Sequence, residues 1–80
     1  MGLSASQRFL VEANRAAGAG DCCRWRGVGD TLGYSNAQAG EAVQSLGERR
    51  LLVPLADGEV RISAAGRVLA EKLELKLGAG

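Results

Sequence analysis

The stretch VGDTLGYSNAQAGEAVQSLGERRLL, from Val28 to Leu52, decides the fold. It reads as two short helices joined by a tight turn. Val28 and Leu32 stand four apart and share one helix face. Gly29, between them, has no side chain, so a second helix can approach closely. Gly33 suits the left-handed conformation that commonly ends a helix. Tyr34 and Ser35 then fill the turn, and Asn36 is the expected N-cap of a second helix over about 37–49. In that helix Ala39, Val43 and Leu46 fall at i, i+4 and i+7, one buried stripe. Leu51-Leu52-Val53 leaves it as an extended apolar run.

Downstream the pattern changes from helical spacing to alternation. Leu51 to Leu55 and Glu59 to Ser63 read as the two strands of a hairpin, with Asp57-Gly58 as its tight turn. Val60 and Ile62 alternate with Glu59 and Arg61, giving one buried and one wet face. Pro54 cannot donate a ladder hydrogen bond, so its nitrogen should point away from the partner strand. Ser63 caps a last helix from Ala64 to about Leu77, after which Gly78-Ala79-Gly80 should fray. The apolar residues of this helix are Ala65, Val68, Leu69, Leu73, Leu75 and Leu77. They span an arc of about 200°, twice the width one core face needs. Either the helix is gripped from two sides or part of it meets another molecule. In the second case a symmetric homodimer through Val68, Leu75 and Leu77 is the expected arrangement.

Upstream, Ser4 or Ser6 caps a first helix with Phe9, Leu10, Ala13, Ala16 and Ala17 as its apolar stripe, and Gly18-Ala19-Gly20 ends it. That glycine loop lacks the Lys-Ser/Thr of a phosphate-cradling loop. For Asp21 to Arg26 two readings stand. Asp21 caps a long helix in which Cys22, Trp25, Val28 and Leu32 share a stripe, or Cys22-Cys23 forms a tiny strand against the hairpin and the helix starts near Arg24. In both, Trp25 packs inward.

The block Val28 to Gly33, the helix that follows it and the ending Leu46-Gly47-Glu48-Arg49-Arg50-Leu51-Leu52 together resemble the helix-turn-helix of winged-helix DNA-binding proteins. Arg50 stands where that family often has Gly. Val60-Arg61-Ile62-Ser63-Ala64-Ala65-Gly66-Arg67 resembles the wing strand running into the final helix of MarR-like transcriptional regulators. The resemblance covers roughly residues 5 to 75. It implies an α+β, mainly helical fold in one domain: a three-helix core, a two-stranded wing and a last helix, with a short strand before the second helix in most relatives.

Composition sets further bounds. Eighty residues make one domain that buries only about 60% of its unfolded surface. No apolar run approaches the roughly 20 residues needed to span a bilayer, and no leader pattern is visible, so a cytoplasmic protein is expected. The net charge is only +1, so basic character must come from local clustering. Histidine is absent, which removes the commonest general base and any Cys-His or Ser-His pair. Cys22 and Cys23 are adjacent, a spacing unsuited to a mutual disulfide or to the Cys-x-x-Cys of redox enzymes, and two cysteines without histidine cannot complete a zinc site within one chain. No enzyme, cofactor or metal is expected.

The resemblance implies binding of double-stranded DNA, with the helix over about 37–49 entering the major groove. Gln38, Glu41, Gln44 and Ser45 would then face base edges: the glutamines suit adenine, and Glu41 could accept from a cytosine amine. Arg24, Arg26, Arg49, Arg50 and Arg61 flank that helix and are the candidates for phosphate. Glu41 and Glu48 oppose the backbone charge. A winged helix used for protein–protein contact is therefore the competing expectation, favoured by the near-neutral charge and the acidic hairpin tip.

Overall fold

The computed structural model describes residues 2–79. These are α+β and mainly helical: α1 (Ala5–Ala17), β1 (Cys22–Arg24), α2 (Trp25–Leu32), α3 (Asn36–Glu48), β2 (Leu52–Pro54), β3 (Glu59–Ile62) and α4 (Ala64–Ala79). The strands form one antiparallel sheet in the order β1-β3-β2.

Two helices start with the same device. The Ser4 hydroxyl accepts the Gln7 N–H at 3.2 Å, and the Gln7 Oε1 accepts the Ser4 N–H at 2.9 Å. Ser35 and Gln38 repeat this exchange at 3.1 and 2.9 Å. Each pair satisfies two backbone donors reciprocally. The cap of α3 is thus Ser35 and not Asn36, which is the first helical residue. The reason is spacing: a glutamine stands three residues after Ser35, whereas Ala39, three after Asn36, can return no hydrogen bond.

The turn between α2 and α3 follows from its glycines. Gly33 ends α2 in the left-handed conformation, φ 76° and ψ 21°. The Tyr34 N–H donates to the Gly29 carbonyl at 2.8 Å, and the Tyr34 hydroxyl donates to the Ala5 carbonyl at 3.0 Å, which ties the turn to α1. A Cβ at Gly29 would lie 2.8 Å from the Ala39 Cβ, so α2 and α3 touch at that point. The other end of α3 departs from the expected family pattern. Arg50 takes the left-handed conformation itself, φ 60°, in the place where glycine would do so without steric cost.

Of the two readings of Asp21 to Arg26, the strand is the one observed. Cys22, Cys23 and Arg24 pair with Arg61, Val60 and Glu59, and the Ile62 N–H donates to the Asp21 carbonyl at 2.7 Å. The sheet therefore has three strands where the wing alone would give two, and α2 begins at Trp25. The hairpin is shorter at its ends than expected: Leu51 and Leu55 lie outside β2, and Ser63 is given over to capping. Its turn is as expected, with Asp57 and Gly58 both left-handed at φ 64° and 75° and the Leu55 N–H donating to the Glu59 carbonyl at 2.7 Å. Pro54 sits opposite Val60 on an edge strand. The Leu55–Glu59 hydrogen bond next to that pair leaves the proline nitrogen on the free edge.

Ser63 opens α4. Its hydroxyl accepts the Gly66 N–H at 3.0 Å and donates to the Arg50 carbonyl at 2.7 Å. A Cβ at Gly66 would overlap the Leu51 carbonyl, so α4 crosses the start of the hairpin at backbone contact. The helix continues to Ala79, past the expected end near Leu77, because each added residue gains a backbone hydrogen bond once the helix is formed. Of the three residues expected to fray, Gly78 and Ala79 are therefore helical, and Gly80 lies outside the described residues.

Phe9, Leu10, Ala13, Val28, Ala39, Ala42, Val43, Leu46, Leu51, Leu52, Val60, Ile62 and Ala70 form one buried cluster, with Trp25, Leu32 and Leu69 half-buried against it. It contains the expected stripe of α3, Ala39, Val43 and Leu46, the sheet residues Val60 and Ile62, and Phe9, Leu10 and Ala13 of α1. Val11 is buried as well, while Ala16 is exposed near the end of α1. Among the described residues no helix is long and apolar enough to cross a membrane.

In urea unfolding, Leu46→Ala should cost about 2–5 kcal/mol, since Leu46 is fully buried and its loss leaves a cavity. Gly66→Ala should cost about 1–3 kcal/mol or more, because the obstructing atom is backbone and cannot rotate away. An unchanged midpoint for Gly66→Ala would contradict the crossing.

Candidate nucleic-acid interface

The buried stripe of α3, Ala39, Ala42, Val43 and Leu46, fixes where its other residues point. At about 100° per residue the arc opposite that stripe carries Ala37, Glu41, Gln44 and Glu48, all exposed. Gln38 and Ser45 lie to one side. With Glu41 they border a cavity of about 300 Å³ whose far wall is Ala5, Ser6 and Tyr34. On the other side, Gly47 lies against the Leu52 carbonyl and the Pro54 ring, so the hairpin follows that flank.

The four expected base-facing residues are therefore not equivalent. Gln44 stands in the middle of the outward arc with Glu41 beside it. Ser45 is half-buried. The Gln38 side-chain oxygen is already used in capping α3, so this residue holds the helix start and retains only its amide N–H groups for another partner. The outward arc has two carboxylates and no basic group.

The five expected phosphate-binding arginines fall into three places. Arg24 ends β1 and Arg26 is the second residue of α2; with Asp57 and Gly58 they line a cavity of about 310 Å³ at the hairpin tip. The Arg26 guanidinium lies over the Trp25 ring, 5.3 Å from its centroid, an arrangement that holds the cation in place by attraction to the ring face. Arg61 is exposed at the centre of the outer sheet face, between Cys22 and Val53. Arg49 and Arg50 are exposed beyond the end of α3, at the opposite end of the hairpin from its tip. Among the described residues the ion pairs are those of Arg15 with Glu12 and Glu74 and of Arg67 with Asp21, and none involves these five arginines.

Arg67 has a role that the sequence did not signal. It donates to the Gly18 carbonyl at 3.2 Å, the Gly20 carbonyl at 2.6 Å and the Asp21 carboxylate at 3.3 Å, so α4 clamps the loop between α1 and β1. Glu71, four residues on, is the partner that local helix spacing would have suggested. The three expected dimer residues separate too. Val68 and Leu75 are exposed on the outer side of α4. Leu77, nine residues from Val68 and half a turn round, borders a cavity with Leu3, Val11 and Leu32. It is 50% exposed there, about as much as Val68.

The neighbouring cysteines point to opposite faces of β1, as strand geometry requires. Cys22 is exposed on the outer face and Cys23 half-buried beneath it. Burial pushes the Cys23 thiol above its ordinary value, helped by Cys22 and Glu59. Comparison of the chain with family models, with curated proteins and with solved structures finds no match.

A thiol reagent at mildly alkaline pH should label Cys22 quickly and Cys23 slowly, because Cys23 is shielded and carries less thiolate. Cys22→Ser should remove the fast phase, and urea should make both thiols fast. Equal rates in the folded protein would contradict the assignment of the two faces.

Proposed function

We propose that the chain is a winged helix-turn-helix domain that binds double-stranded DNA through α3, as a small transcriptional regulator would. The observation that carries the reading is the outward face of α3, which is exposed among the described residues. It follows a tight turn from a helix that touches it, and a hairpin flanks it. A helix held in this way fits the major groove. Gln44 is the central base reader and can pair with an adenine edge, with Glu41 and Ser45 beside it. Gln38 serves first as the cap of the reading helix. Arg24, Arg26, Arg49, Arg50 and Arg61 are the phosphate contacts, spread along the hairpin on either side.

Glu41 and Glu48 keep non-specific affinity low, so recognition leans on base contacts more than on charge. The same two carboxylates, with Asp57 at the hairpin tip, favour a second reading, a winged helix that docks a protein partner. The two differ in their response to salt. Phosphate binding weakens steeply as salt rises, and an apolar contact does not.

Binding of mixed-sequence duplex should be measurable at low salt and fall with a linear log–log slope. Arg49→Ala should weaken all sequences alike and flatten the slope by about one unit. Gln44→Ala should change preference at one base position, at a cost of about 1–3 kcal/mol for the preferred site. If no duplex binds at low salt and Arg49→Ala behaves as wild type, the protein-docking reading replaces this one.

A further inference from the structure

Among the described residues the outer side of α4 has no partner. Val68 and Leu75 are 52% and 73% exposed there, on a helix whose opposite side buries Ala70 and Leu73. They are seven residues apart and so project within about 20° of each other. Glu71 and Lys72 lie between them, both exposed, one on each side of the line joining the two apolar side chains. Among the described residues neither forms an ion pair.

The geometry points to a second copy of this chain as the occupant, with the two α4 helices side by side and parallel. The charges select both the partner and the direction. In a parallel two-fold pair, the left flank of one helix meets the right flank of the other. Lys72 then lies across the seam from the partner's Glu71, and Glu71 from the partner's Lys72. In an antiparallel pair, like flanks meet, and Glu71 faces Glu71 while Lys72 faces Lys72. A parallel seam therefore stacks Val68 on Val68, two complementary charge pairs, and Leu75 on Leu75. Ala64 and Ala65, small and exposed one turn before Val68, let the helices approach at that end. Two large apolar side chains per copy make a small patch, so the association is weak and concentration-dependent. It stands whether or not α3 binds DNA.

Sedimentation equilibrium at low salt, over a loading series up to high micromolar, tests this. The apparent mass should rise from 8.3 kDa towards twice that value. Leu75→Glu should hold the chain at the monomer mass with an unchanged far-UV circular dichroism spectrum, since position 75 is exposed. E71K should weaken association by about tenfold by setting like charges across both flanks, and E71K/K72E should restore it. In a C22S/C23S background, L75C should cross-link to a disulfide dimer under copper–phenanthroline oxidation, which a parallel seam allows and an antiparallel one does not. A wild-type mass of 8.3 kDa at every loading would overturn the proposal. So would association that survives Leu75→Glu, a double charge swap that fails to restore it, or an L75C variant that associates but does not cross-link.

Discussion

The close approach of α4 to the backbone at Leu51 is the constraint on which the rest depends. Gly66 lies against the Leu51 carbonyl, and Ser63 spans the same junction by capping α4 and donating to Arg50. One helical turn further, Arg67 reaches back to Gly18, Gly20 and Asp21. Within five residues, then, the end of the hairpin fixes the start of the hairpin, the last helix and the loop before β1. That loop sets β1 against β3, since Asp21 accepts from Ile62. A chain of 80 residues buries little surplus core, so the hydrogen bonds of these junctions are a larger share of its stability than they would be in a larger domain.

What could be read in the sequence is what depends on local chemistry. Gly29 marked the helix contact, Gly33 the left-handed cap, Asp57-Gly58 the turn, and the alternation of Val60 and Ile62 the buried sheet face. The cap and the turn act within four residues of their origin, and Gly29 acts on Ala39, ten residues on. Ser35 was legible too, because its glutamine partner stands three residues away, and the expectation of Asn36 weighed one residue without its partner. The spacing also held the separation of Leu77 from Val68 and Leu75, since nine residues bring a helix half a turn round. What the sequence left open or withheld is non-local. β1 is a strand because Arg61, Val60 and Glu59 lie across from it, nearly forty residues later in the chain. Arg67 serves the loop at Gly18 rather than Glu71 beside it. The sequence allows the strand as one of two readings and does not signal the Arg67 clamp, because neither choice is settled without the partner.

The same division runs through the candidate interface. The outward arc of α3 followed from helical periodicity. Where its flanking arginines lie did not, because the hairpin separates Arg24 and Arg26 at its tip from Arg49 and Arg50 at its base. A groove-reading helix with carboxylates at Glu41 and Glu48 gains little from bulk charge. It would have to discriminate by the few polar groups it presents, with Gln44 foremost. A weak self-association through α4 would suit such a helix, since pairing two modest readers raises affinity for a repeated site without new contacts.

The most direct measurement is an amide chemical-shift titration of ¹⁵N-labelled protein with a mixed-sequence duplex, at low and at high salt. Shifts should concentrate at Ala37, Glu41, Gln44 and Glu48 and at Arg24, Arg26, Arg49 and Arg61, and collapse as salt rises. A spectrum unmoved at low salt, or shifts confined to α4, would contradict DNA binding through α3.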